Sequence, residues 1–63
     1  MLGKDVKFVI EMYYIGCPDI WSFEESYMAV CKLVFSEMKN DFLDTIENRE
    51  LIYSYMDSIC ELV

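Results

Sequence analysis

The clearest periodic pattern in the chain runs from Ser22 to Lys39 and predicts an amphipathic helix. Ser22 is a favourable N-cap, and Glu25, three residues later, completes the spacing of a capping box. Beyond the cap, apolar residues recur at steps of three and four, which places them on one helix face. This face comprises Phe23, Tyr27, Val30, Cys31, Val34 and Met38, widened by Met28 and Phe35. We expect the rest of the chain to pack against it.

The last segment, residues 44–62, also has a helical period. Its polar residues gather in one stripe about 100° wide. They are Glu47, Glu50, Ser54, Asp57, Ser58 and Glu61. The remaining arc is apolar and wider than one neighbouring helix covers, so we expect burial within the chain on one side and against a second copy on the other. The candidate residues for this dimer interface are Leu51, Ile52, Tyr55, Ile59 and Leu62.

Residues 2–15 are compatible with two secondary structures. A strand would place Val6, Phe8, Ile10, Met12 and Tyr14 on one face, and a helix would align Leu2, Val6, Val9, Ile10 and Tyr13, with Asp5 as a possible N-cap. Gly16, followed by Pro18, is typical of a helix that ends in a left-handed glycine. A lone strand would also lack a partner strand in the chain. We therefore favour the helix.

Two connecting segments separate the three predicted helices. The first is a loop over residues 16–21, in which we expect Trp21 to close over the helix entry as part of the core, with a binding pocket as the alternative. Asn40 and Asp41 are the best candidates for the second turn. Because the apolar pattern continues almost in phase through this region, one long helix remains an alternative.

Asp44, with Glu47 three residues later, repeats the spacing of a capping box. The sequence thus predicts an all-α domain over residues 1–63, with helices at about 5–15, 22–39 and 44–62.

The size and the cysteine content point to oligomerisation. A domain of 63 residues is marginally stable alone and usually needs a disulfide, a metal or a partner subunit. The three cysteines, Cys17, Cys31 and Cys60, are odd in number and lack C-x-x-C spacing, and the chain has no histidine. These features argue against a disulfide framework and a zinc site, so we expect a homodimer. Free thiols are typical of the cytoplasm, and neither a signal peptide nor a membrane span is expected.

The residue types also argue against an enzyme. Without histidine the chain has no ready general base near neutral pH and no Cys–His pair. Cys31 and Cys60 fall on apolar helix faces and are expected in the core. We therefore predict a non-enzymatic protein without a cofactor or a metal.

The charge suggests a class of partner. The net charge is −7, so the phosphates of nucleic acid would be repelled. Carboxylates are frequent between residues 37 and 50, where only Lys39 and Arg49 are basic. The candidate partner-binding residues are Glu37, Asp41, Asp44, Glu47 and Glu50. We expect them to meet a basic surface of another protein, including one that holds nucleic acid. In size and charge the chain is similar to small viral or mobile-element inhibitors.

Two alternatives remain for the function. A strand over residues 4–14 would give the order strand–helix–helix, which resembles ribbon-helix-helix repressors, and residues 48–52 (N-R-E-L-I) resemble the start of their second helix. That resemblance implies a dimer that reads DNA through its paired strands, here with Lys4 and Lys7. The chain departs from the pattern in its acidity and in lacking the glycine-containing turn. The second alternative is a purely structural homo-oligomer.

Overall fold

A computed structural model describes residues 2–62 and contains three α-helices. They are α1 (Lys4–Ile15), α2 (Phe23–Met38) and α3 (Ile46–Leu62), and a 3-10 turn (Lys39–Asp41) follows α2. Each helix packs against the other two. No β-strand occurs in this range. The all-α, three-helix prediction is confirmed.

The helix predicted near the N-terminus forms, but its two ends differ from the prediction. The N-cap is Gly3 rather than Asp5, which lies in the first turn. Gly16 is right-handed, with φ of −76° and ψ of −8°, so the expected left-handed glycine is wrong. Its N–H donates to the carbonyl of Met12 at 3.3 Å, and Pro18 then prevents a further helical turn because it has no N–H to donate.

The predicted capping box at the start of α2 is confirmed. The hydroxyl of Ser22 accepts a hydrogen bond of 3.2 Å from the backbone N–H of Glu25. The carboxylate of Glu25 accepts one of 3.0 Å from the N–H of Ser22. Two backbone donors that the first turn leaves without partners are thereby satisfied.

The pattern from residue 22 to residue 62 is divided into two helices rather than one. Lys39 has φ of 52°, a left-handed value that a side chain with a Cβ rarely adopts, and the chain turns there. Phe42 then returns to the core and stacks on Phe35 with 5.5 Å between ring centres. The break closes the hairpin of α2 and α3.

The cap of α3 is Thr45. Its hydroxyl accepts a hydrogen bond of 3.1 Å from the N–H of Asn48. The capping box expected from Asp44 and Glu47 is therefore wrong, because Asp44 lies one residue too early and its carboxylate binds Arg49 instead.

The core lies where the three helices meet. Its fully buried side chains are Ile10, Val30, Val34, Ile52 and Met56. Val6, Val9, Cys31 and Phe42 surround them. The helical stripe predicted for α1 and the apolar face of α2 thus face the core, with their central residues buried and their outer residues half-buried, whereas Met28 at the edge of the α2 face is exposed.

Candidate functional site

The five candidate partner-binding carboxylates are all exposed, but two of them already have partners within the fold. Oε1 of Glu37 accepts a hydrogen bond of 2.6 Å from the hydroxyl of Tyr13. The two carboxylate oxygens of Asp44 accept bonds of 2.7 and 2.9 Å from Nε and Nη2 of Arg49. Arg49 therefore lowers the pKa of Asp44, and the bond to Glu37 raises the pKa of Tyr13.

The other three carboxylates form no hydrogen bond or salt bridge with residues 2–62. Asp41 lies in the 3-10 turn, and Glu47 and Glu50 lie on the solvent side of α3. We call this solvent side the α3 outer face. It comprises Glu47, Glu50, Ser54, Asp57, Ser58 and Glu61, and all six are exposed. The face extends over about 21 Å at the rise of an α-helix. Asp57 and Glu61 were not among the candidates, although the polar stripe in the sequence contains them.

A second feature is an apolar groove at the loop between α1 and α2, which we call the loop groove. Its volume is about 410 Å³. It is lined by the end of α1, the loop, the start of α2 and the end of α3, including Tyr14, Ile15, Trp21, Phe23, Ile59 and Cys60. Trp21 is 39% exposed and lines this groove, so its expected place in the buried core is wrong.

Aromatic contacts hold one wall of the loop groove in place. The ring of Phe23 meets the rings of Tyr14 and Tyr53 edge to face, with centres 6.3 and 5.0 Å apart. Tyr53 in turn meets Tyr27 at 5.1 Å. Burial, reinforced by the neighbouring Cys60 thiol, raises the pKa of Tyr14. The wall is thus neutral, aromatic and built from all three helices.

The cysteines lie in three different environments. Cys31 is buried, and burial raises the pKa of its thiol. Cys17 is half-buried and donates a hydrogen bond of 3.4 Å to the carbonyl of Tyr13. Cys60 is exposed, so its expected place in the core is wrong, because its side of α3 borders the open loop groove. Within residues 2–62 no three acidic, cysteine or histidine side chains converge to hold a metal ion.

The candidate dimer interface on α3 is largely covered by the chain itself. Ile52 is fully buried in the core of its own chain and offers no exposed surface there to a second copy. Tyr55 is half-buried against α1, with its hydroxyl bonded to Glu11 and Nζ of Lys7 5.7 Å from its ring centre. Leu51 and Ile59 are also half-buried. Leu62 alone among the five candidates is exposed, at 87%.

An apolar stripe that is left exposed within residues 2–62 lies instead on α1. Phe8, Met12 and Ile15 are spaced at four and three residues and are all exposed. They occupy the side of the helix away from Val6, Val9 and Ile10. We call these three residues the α1 stripe.

Comparisons with known proteins identified no relative of the chain. No protein-family model matches the chain, and neither a curated protein nor a solved structure is significantly similar to it. None of the helices between residues 2 and 62 is long and apolar enough to cross a membrane.

Proposed function

We propose that the chain is a non-enzymatic binding module that associates with a basic surface of a partner protein through the α3 outer face and the adjoining turn. The observation that carries this proposal is that Asp41, Glu47 and Glu50 are exposed and have no partner among residues 2–62. Asp57 and Glu61 continue the same surface along α3. Because the fold does not use these carboxylates, a partner can bind them without breaking an internal contact.

Electrostatics determine what such a surface would do. Complementary charge speeds the diffusional encounter of two proteins, and the effect weakens as salt screens it. Carboxylates along a rigid helix can also take the place of phosphates in a basic groove. The proposal therefore includes inhibition of a nucleic-acid-binding partner, in the manner of a small viral accessory protein acting in the cytoplasm.

A double substitution of Glu47→Gln and Glu50→Gln tests this proposal. A partner captured from nuclease-treated extract of the source cells would be purified, and its association rate with wild type and variant measured at several salt concentrations. We expect slower association for the variant at low salt, with a difference that shrinks as salt rises. Folding should be nearly unchanged, since exposed charges contribute little to stability.

The matched control removes two charges elsewhere on the surface. Asp5→Asn with Glu24→Gln changes the net charge equally but leaves the α3 outer face intact, and it should associate almost as fast as wild type. An association rate that depends neither on the substitutions on α3 nor on the ionic strength would refute the proposal. Retention of labelled DNA by the purified protein would favour the DNA-binding alternative.

Self-association is the second candidate, and the α1 stripe favours it. A small domain gains the most from burying such a stripe against a second copy, because its own core is small. The charges that flank the stripe are mixed, with Lys4 and Lys7 beside Asp5 and Glu11. Two copies can therefore approach there without facing carboxylates alone.

A further inference from the structure

The loop groove has the size and composition of a binding site. Its volume of about 410 Å³ lies within the usual range for ligand pockets. Tyr14, Phe23 and Ile59 form its apolar walls. Because the ring of Phe23 is held edge to face between two other rings, these walls exist before any ligand arrives.

The apolar surface continues beyond the groove itself. Ile15, which lines it, is 80% exposed, and the exposed Leu62 lies three residues beyond the lining residue Ile59, on the same side of α3. Ile20 lies between the lining residues Asp19 and Trp21 and is also exposed. A small ligand would fill the groove but leave these side chains in water, whereas a helix laid across it would cover them as well.

The charges around the groove indicate the chemistry of that helix. The segments that form it, residues 14–26 and 57–62, contain five carboxylates and no lysine or arginine. These are Asp19, Glu24, Glu25, Asp57 and Glu61. By contrast, the carboxylates of residues 37–50 are accompanied by Lys39 and Arg49. Glu25 is already bonded to the N–H of Ser22, but an acidic or uncharged ligand would leave the other four carboxylates without partners.

We propose that the loop groove binds an amphipathic helix of a partner protein that carries lysine or arginine residues beside its apolar face. The apolar face would enter between Trp21 and Ile59, and the basic side chains would meet the carboxylates at the rim. This is the helix-in-groove mode of recognition with electrostatic selection of the partner. Asp57 and Glu61 belong both to the α3 outer face and to the acidic segments around the groove, but Glu47 and Glu50 lie outside the groove lining.

Trp21 is the single tryptophan of the chain and reports directly on the groove. The probe is a synthetic peptide of about 18 residues, or five helical turns, made of leucine and lysine at helical spacing. We expect a saturable blue shift of the Trp21 emission as the peptide excludes water from the indole. A scrambled peptide of the same composition, which has no apolar face, and a peptide with glutamate in place of lysine should not produce it.

Two matched substitutions locate the binding. Ile15→Glu buries a charge under the peptide and should weaken binding by roughly tenfold or more. Ile46→Glu makes the same change at a residue 77% exposed at the start of α3, outside the groove lining, and should bind like wild type. Both variants should keep the wild-type helix content. Asp19→Asn should weaken binding at low salt more than at high salt.

Several results would overturn the proposal. An equal emission shift with the scrambled peptide would show that the groove does not require an amphipathic helix. An equal emission shift with the glutamate peptide would show that it does not require basic side chains. Equal loss in Ile15→Glu and Ile46→Glu would show that the peptide does not bind in the groove. A blue shift on raising the protein concentration without peptide, abolished by Ile15→Glu but retained in Phe8→Glu, would assign the groove to a second copy, because Phe8 belongs to the α1 stripe but does not line the groove. The Glu47→Gln/Glu50→Gln variant should bind the peptide normally, so the two surfaces can fail separately.

Discussion

The hydroxyl of Tyr55 on α3 donates a hydrogen bond of 2.7 Å to Oε2 of Glu11 on α1, 44 residues earlier in the chain. Similar bonds join the other helix pairs. Tyr13 on α1 donates to Glu37 on α2, and Tyr27 on α2 donates to the carbonyl of Arg49 on α3. A tyrosine hydroxyl thus bridges every pair of helices. Such bonds have directional requirements that apolar contacts lack, so they help to fix how the three helices are oriented.

Replacing Tyr55 with phenylalanine tests this arrangement. The ring and its packing remain, but the bond to Glu11 is lost, so the free energy of unfolding should fall by about 1 kcal/mol. Tyr53→Phe is the matched control, since the Tyr53 hydroxyl has no hydrogen-bond partner among residues 2–62. Urea denaturation followed by far-UV circular dichroism measures both. Equal losses in the two variants would show that the bond to Glu11 contributes nothing specific.

Stability should also decline at alkaline pH. The bond to Glu11 raises the pKa of Tyr55 above its ordinary value of 10.0, and the bond to Glu37 does the same for Tyr13. Burial raises the pKa of Tyr14 and Tyr27. Because the unfolded chain ionises first, this stabilisation is complete below the unfolded pKa and is lost as pH rises through the folded values.

The urea midpoint, measured together with tyrosinate absorbance, reports this dependence. The midpoint should be steady between about pH 6 and about pH 8 and fall above that range, because the buried Cys31 thiol also has a raised pKa and its unfolded form ionises before the tyrosines. In Tyr55→Phe the fall should be shallower, because one of the raised groups is gone. A midpoint that stays constant while the tyrosines ionise would contradict the predicted linkage.

The sequence predicted the three helices because their signals are local. The capping box of Ser22 and Glu25 lies within one helical turn. The buried face of α1, with Val6, Val9 and Ile10, can be recognised from the helical period alone. The interpretation of residues 2–15 as a helix depended on the same period. These features do not require knowledge of which elements come together.

The features that the sequence did not predict depend on contacts between elements. Asp44 and Thr45 are both good N-caps, and the choice between them follows from Arg49, which binds the carboxylate of Asp44. The turn was predicted at Asn40 and Asp41, but its left-handed residue is Lys39, one position earlier, without the glycine that usually signals such a φ. Likewise, the apolar arc of α3 predicted burial on two sides, one of them against a second copy, but did not indicate that α1 would cover the side of Tyr55.

Thiol reactivity should distinguish the three cysteines. In the native protein Cys60 should react first with a thiol reagent, because it is exposed, and Cys17 more slowly. Cys31 should react only after unfolding, since it is buried and its pKa is raised. The absorbance of the aromatic thiol that the reagent releases measures the reaction rates. The Cys60→Ser variant should lack the fast phase and so identifies it. Three equal rates in the folded protein would contradict the described packing.

Added salt should affect self-association and partner binding in opposite directions. Each copy carries a net charge of −7, so salt should strengthen a dimer held by apolar contacts, because it screens the repulsion between copies. The same salt should weaken binding of the α3 outer face to a basic partner. We expect sedimentation of the wild type as a dimer at micromolar concentration, with a dissociation constant that falls as salt is added.

Two substitutions then locate the dimer interface. Phe8 is 64% exposed at the start of the α1 stripe, and Phe8→Glu should dissociate the dimer because it would bury an unpaired charge between the copies. Leu62→Glu makes the corresponding change on the α3 face that the sequence predicted as the interface. If Leu62→Glu dissociates the dimer and Phe8→Glu does not, the interface lies on α3. Since both side chains lie outside the core, neither variant should unfold before it dissociates. A wild type that sediments as a folded monomer would exclude the dimer and leave the α1 stripe without a second copy to cover it.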